Sequence, residues 1–186
     1  VLTELVLVRH AESQPPEPGL PDPPERPLTA GGLLAARELV PALLALRPDV
    51  VVSSPLRRAW QTVEPLARAL GAPVAVRDDL REWDSGLVPD DSWAEAYAWS
   101  WDNPSLAHDG GESLDDLTER ALTVLRDLAE THRGSVVVVG THGTFLSRAL
   151  GGLGHDVDWP FCHGLPSPVV YRVRSTPRYL TISRHR

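Results

Sequence analysis

The hydrophobic pattern alternates between two kinds of segment. Short unbroken apolar runs occur at residues 5–8, 50–52 and 136–139, the last being four consecutive valines. Runs of that length, bounded by polar or turn-forming residues, predict strands buried on both faces. Between them, apolar residues recur at helical spacing over residues 31–46, 56–70, 114–133 and 144–150. Thr29 and Ser113 stand as N-caps, and Ser54 with Pro55 offers a cap and a first-turn proline for the 56–70 helix. Arg47-Pro48, Gly71 and Gly134 are the matching stops. A third short strand is predicted at 73–77, leading out through 78–82. Two further apolar segments, 169–173 and 179–183, flank a turn at 175–177 and read as a terminal hairpin or sheet edge.

Three segments lack either period. Residues 15–27 carry seven prolines and predict a semi-extended loop. Residues 83–111 are irregular or weakly helical and hold four of the six tryptophans, Trp83, Trp93, Trp99 and Trp101. Two readings fit these rings: a satellite core, or the wall of a small-molecule pocket. Residues 151–168 predict a loop containing His155, Cys162 and His163, whose spacing matches no zinc pattern.

Strands alternating with helices predict an α/β fold with a mostly parallel sheet. In such sheets ligands bind beyond the carboxyl ends of the strands. Four exits carry polar residues: Arg9-His10, Arg57-Arg58, Glu82 and His142. Each has a bland explanation, a strand stopping at a polar loop or a solvated arginine. Arg57 and Arg58, however, fall in the first turn of a helix, where a positive charge is unfavourable unless an anion is present.

Composition narrows the chemistry. The chain has 186 residues, enough for one well-buried core, and no internal repeat, so one domain spanning 1–186 is expected. The net charge of −7 argues against nucleic acid or an anionic membrane surface as a partner through bulk charge. No apolar run reaches membrane-spanning length and no signal-peptide pattern opens the sequence, so a cytoplasmic enzyme is expected. The single cysteine, Cys162, excludes an internal disulfide. All 18 basic residues are arginine, which excludes a Walker A loop and Schiff-base chemistry.

If the four strands run parallel, two histidines, arginine and one acid meet at one sheet edge. Arginine forks match phosphate oxygens in geometry and charge. A histidine can attack phosphorus through one ring nitrogen while the other is held as a donor. A carboxyl group can protonate the leaving oxygen. The arginines and second histidine can neutralise the phosphoryl charge without metal or cofactor.

These residues resemble a known pattern. Arg9-His10-Ala11-Glu12-Ser13 is similar to the Arg-His-Gly-Glu-Thr signature of the histidine phosphatase superfamily, the phosphoglycerate-mutase-like fold. The block from Ser53 to Thr62 resembles that family's second motif, whose arginine before alanine is Arg58. Leu80-Arg81-Glu82 with Gly86, Gly111-Glu112-Ser113, Thr141-His142-Gly143, and Pro27-Leu28-Thr29 with Gly32 follow in the family's order. The resemblance implies a three-layer α/β/α sandwich, with 83–111 a short insert capping the site. It implies His10 as nucleophile, Glu82 as general acid, and Arg9, Arg58 and His142 as phosphoryl ligands, with Ser13 and Gly143 beside them. A metal-independent phosphomonoesterase of the α-ribazole-phosphatase-like or broad-specificity branch follows, acting on a small phosphorylated metabolite as monomer or homodimer.

Three departures stand out. Ala11 replaces a glycine, Pro16 replaces an asparagine that touches phosphate, and the tryptophan-glycine pair beyond Gly86 is missing. Two alternatives therefore remain beside the phosphatase: a mutase that returns the phosphoryl group to a second hydroxyl, and a non-catalytic member that binds a phosphorylated ligand. The carboxylates Asp84, Asp90 and Asp91, expected near the mouth, would disfavour highly anionic substrates.

Overall fold

A computed structural model describes residues 2–176 and 180–185. Its centre is a six-stranded sheet in the order β3-β2-β4-β1-β5-β6. The strands are β1 (Thr3–Arg9), β2 (Val50–Ser53), β3 (Val74–Val76), β4 (Val136–Thr141), β5 (Val169–Ser175) and β6 (Leu180–Arg184). The first four run parallel, and β5 and β6 continue the sheet antiparallel. The part of the expected terminal turn at Pro177, and Tyr179 with it, lies outside the described residues.

The strand pleat divides the core in two. Leu5, Leu7, Val52, Val137 and Val139 face α5 (Leu114–Thr131) and α6 (Gly143–Gly152), packing on Leu117, Leu125, Phe145 and Leu146. Val6, Val8, Val51 and Val138 face the other way, onto Leu43, Val63 and Leu66. The last two belong to α3 (Arg57–Leu70), and Leu43 to α2 (Val40–Ala45). Helices on both faces of the sheet make a three-layer α/β/α sandwich. Each of these fully buried side chains contributes roughly 1.5–3 kcal/mol over leaving it exposed.

Several boundaries differ from the periodicity. The helix expected over 31–46 is broken at Leu39 into α1 (Ala30–Glu38) and α2, because Pro41 has no N–H for the helical ladder. The 56–70 helix starts at Arg57 with Leu56 as N-cap, so Ser54 is not its cap. Within 83–111, α4 (Trp93–Asp102) forms a regular helix. In the loop expected over 151–168, α7 (Trp159–Gly164) is capped by Asp158, which accepts from the Phe161 N–H at 2.8 Å.

Candidate active site

The register aligns the strand exits. Arg9 on β1 pairs with Thr141 on β4, and Ser53 on β2 with Gly140. One residue further on, His10, His142 and Ser54 leave the sheet side by side. The His10 N–H still donates to the Thr141 carbonyl at 2.9 Å, and the Ser54 N–H to the Gly140 carbonyl at 2.9 Å. The rings of His10 and His142 lie 5.4 Å apart, edge to face.

His10 is held by its neighbours. Its carbonyl accepts from the Ser167 hydroxyl at 2.7 Å, and the next N–H, of Ala11, donates to Thr62 Oγ1 at 3.0 Å. The Ala11 methyl is buried in a small cluster with Leu28 and Ala36, which accommodates the departure from glycine. His10 Nδ1 lies 2.7 Å from the Ala11 carbonyl. A carbonyl only accepts, so Nδ1 carries the proton and Nε2 keeps its lone pair. Burial lowers the pKa of His10. The bond to Ala11 opposes the shift, and the charges of Arg58, Arg9 and Arg26 add to it, leaving a value of about 3.

His142 is fully buried, and Nε2 lies 2.8 Å from Ser54 Oγ. That hydroxyl accepts from the Leu56 N–H at 3.2 Å and has its own proton to give to Nε2. The hydrogen-bond network thus assigns the imidazole N–H to Nδ1. Burial first, then the charge of Arg58, holds His142 well below the usual histidine value, so both imidazoles are neutral.

The arginines surround the pair. Arg58 is buried in the first turn of α3, whereas Arg57 beside it is exposed. Arg58 Nη2 meets Asp22 Oδ2 at 3.2 Å. Arg9 Nη1 donates to the Leu165 carbonyl, and its guanidinium lies so close to Gly143 that a Cβ there would fall 3.1 Å from Arg9 Nε. Gly143 opens α6, where the first N–H groups have no intrahelical partner. Arg9 Nε, Arg58 Nε and Nη1, and His142 Nδ1 are buried donors with no partner among the described residues. Buried donors left unpaired cost free energy, and an anion with several oxygens is the ligand that would satisfy them together.

Glu82 sits at the same helix terminus. Oε1 accepts from the N–H groups of Trp83 and Phe145, each at 3.0 Å, and Oε2 from that of Thr144 at 3.2 Å. Its segment is clamped by Arg120 of α5, which donates to the carbonyls of Asp79 and Arg81 at 2.9 Å and also grips the Glu112 carboxylate. The family resemblance points to Glu112 but not to Arg120, whose role is visible only in three dimensions.

The proline-rich loop contributes two further residues absent from the sequence-based site. Arg26 forks onto both oxygens of Asp22 and reaches back to Ser13 Oγ at 2.7 Å and the Gln14 carbonyl at 2.6 Å. Ser13 accepts from Arg26 and keeps its own hydroxyl proton free. The one available signal is that Arg26 and Asp22 are two of only four ionisable residues between Pro15 and Pro27.

The tryptophans of the insert divide between the core and a partly exposed aromatic cluster. Trp83 is buried in the core and donates to the Glu112 carbonyl at 2.8 Å. Trp93 is 38% exposed and meets Tyr97 at 5.3 Å and Trp159 of α7 at 5.8 Å. His163 also packs on Trp93 and Trp159. Asp90 turns onto the Ser92 N–H at 2.8 Å, and Asp84 and Asp91 are exposed. The carboxylate seated against the arginines is Asp22 instead.

The carboxyl ends of the parallel strands thus bring two buried histidines together among arginines with unpartnered donors. The model of the histidine phosphatase superfamily (branch 1) matches residues 5–180, and the chain belongs to that family. It is 34% identical over 157 residues to the metal-independent phosphoserine phosphatase of Arabidopsis thaliana, covering 78% of this chain and 66% of that protein. It is likewise 34% identical over 166 residues to a bifunctional protein of Mycobacterium tuberculosis, covering 80% of this chain and 43% of the relative. The chain thus spans two thirds or less of these relatives. The fold matches that of a mycobacterial glucosyl-3-phosphoglycerate phosphatase with a TM-score of 0.80 at 22% identity, over 99% of this chain and 98% of the other.

Proposed function

We propose that this protein is a metal-independent phosphomonoesterase that hydrolyses a small phosphorylated metabolite through a phosphohistidine on His10. The observation that carries the reading is the Nδ1 bond of His10 to the Ala11 carbonyl, which leaves Nε2 as a neutral nucleophile beside unpartnered donors of Arg9, Arg58 and His142. Nε2 attacks phosphorus and the bond from phosphorus to the ester oxygen breaks. The leaving oxygen takes a proton from Glu82. Water then attacks the phosphohistidine, Glu82 accepts its proton, and phosphate leaves with the P–N bond broken. Arg9, Arg58, His142, Ser13 and the Gly143 N–H hold the phosphoryl oxygens throughout, with charge stabilisation supplied by preorganised donors.

The whole chain serves as one phosphatase domain, with residues 83–111 closing the mouth. The Gly19 N–H donates to the Pro89 carbonyl at 2.8 Å, joining the proline-rich loop to that insert. The Arabidopsis relative's name supports metal independence. Among the described residues no helix is long and apolar enough to cross a membrane.

The test is hydrolysis of 4-nitrophenyl phosphate in excess EDTA by the wild type and by His10→Ala. The wild type should turn over, and the variant should lose at least about 10³-fold in kcat, as expected on removing a covalent nucleophile. Turnover that survives the substitution would refute His10 as nucleophile.

A further inference from the structure

Resting on the phosphomonoesterase reading, we propose that Asp22 is a positioning residue for Arg58: its carboxylate, itself fixed by Arg26, holds the buried guanidinium in the orientation that meets the phosphoryl group in the transition state. Arg58 stands in the first turn of α3, and its side chain is only 4% exposed. A buried guanidinium needs a counter-charge, and the positive end of a helix adds to that need. Among the described residues Asp22 is its one ion-pair partner, with Oδ2 at 3.2 Å from Nη2. The guanidinium is planar, so a partner at Nη2 also sets the directions of Nε and Nη1. Those two atoms are the buried donors left without a partner.

The carboxylate is itself anchored. Arg26 forks onto both of its oxygens, and Arg26 Nη1 is tied to Ser13 Oγ at 2.7 Å and the Gln14 carbonyl at 2.6 Å. Ser13 bridges to Leu28, and the Gln14 N–H donates to the Pro27 carbonyl at 2.9 Å. The anchor therefore lies on the strand exit that carries His10. The loop also docks on α3 itself. The Arg57 N–H donates to the Pro24 carbonyl at 2.9 Å, and Gln61 Oε1 accepts from the Leu28 N–H at 2.9 Å. Pro21, Pro23 and Pro24 stiffen the backbone around Asp22. Burial alone would raise the Asp22 carboxyl, but the bonds from Arg26 and the charges of Arg58 and Arg26 outweigh it and keep the group ionised.

Two guanidiniums and one carboxylate leave this cluster cationic, so an anion is still attracted to it. Removing the carboxylate raises that attraction and releases Arg58 from its orientation. Orientation counts in the transition state more than in ground-state binding, so the loss separates rate from affinity. A carboxylate that merely blocked Arg58 would, once removed, raise both. One that merely stabilised the loop would, once removed, lower both.

The test compares the wild type with Asp22→Asn in kcat for 4-nitrophenyl phosphate and in Kd for inorganic phosphate by isothermal titration calorimetry. kcat should fall roughly tenfold. Phosphate should bind as tightly as to the wild type, or up to about threefold more tightly. Circular dichroism checks the fold, and Asp22→Ser, equally uncharged, repeats the comparison if the Asn variant is not folded. A fall in kcat of less than about threefold, or a phosphate affinity that falls along with kcat, overturns the proposal and leaves the phosphatase reading intact. A wild type that binds phosphate but hydrolyses no ester refutes the phosphatase, and this role with it.

Discussion

His10 and His142 follow directly on the register partners Arg9 and Thr141, and this one parallel pairing brings their rings to 5.4 Å. The two imidazoles are complementary. His10 turns its N–H to the Ala11 carbonyl and leaves the Nε2 lone pair unused, while His142 uses its lone pair on Ser54 and keeps an N–H to give. Both arrangements need neutral rings, and burial among arginines favours that state.

The first prediction concerns pH and rate. With His10 lowered to about 3, the nucleophile is unprotonated across the whole working range. kcat/KM reports groups of the free enzyme. Expressed per substrate dianion, it should show no break near 6.5, the ordinary histidine value. A one-proton fall centred there, absent from the substrate's own titration, would contradict the assignment.

The second concerns Ser54, which fixes His142. Ser54→Ala removes the bond to Nε2 and leaves a buried acceptor unpaired, at a cost of about 1–3 kcal/mol in stability. The freed ring loses its orientation, and kcat for an aryl phosphate should fall roughly tenfold while binding of inorganic phosphate changes less. Steady-state kinetics beside a denaturation curve reads both effects.

The third concerns Arg120, which ties the Glu82 segment to α5. Arg120→Met strands the partly buried Glu112 carboxylate and frees the Asp79 and Arg81 carbonyls. Breaking such a pair by removing one partner should cost about 3–5 kcal/mol in urea unfolding. kcat should fall with stability, because Glu82 loses its support without being altered itself.

The fourth concerns stability and pH. A histidine whose folded pKa lies below its unfolded value binds more protons when unfolded, so stability rises with pH through that window. For His10 the window runs from about 3 to 6.5, and His142 acts in the same direction. Stability should be fully present above 6.5 and fall on acidification, each histidine adding up to about 1.4 kcal/mol per pH unit. His142→Gln should flatten the slope between pH 6.5 and 5. An identical slope in the variant would show that His142 is not neutral in the folded protein.

The layered fold and the order of its motifs were legible in the chain itself. Valine runs bounded by polar residues specify buried parallel strands, and helical spacing between them supplies the layers, because periodicity is a local property. The positions of Arg9, His10, Arg58 and His142 were legible for the same reason, each standing at the end of a strand or in the first turn of a helix, and Glu82 lies just beyond a short 3-10 turn after β3. Local rules failed where a single residue overrode a period, as when Pro41 split the first helix. They failed again where a polar side chain had two local uses. Ser54 suits a helix cap, but across 88 residues of sequence the sheet register sets it against His142.

What the sequence determined by itself was a mostly parallel α/β sandwich with two histidines, two arginines and one acid at one sheet edge, since the alternation of strands and helices and the positions of those residues are written in the order of the chain. Only the tertiary structure decided which nitrogen of each histidine carries the proton, that Arg120 clamps the segment of the acid, and that Asp22 and Arg26 return from a proline-rich loop to Arg58 and Ser13. Those relations depend on hydrogen bonds and charges between residues distant in sequence. No local pattern encodes such contacts, because they exist only once packing has set the distances.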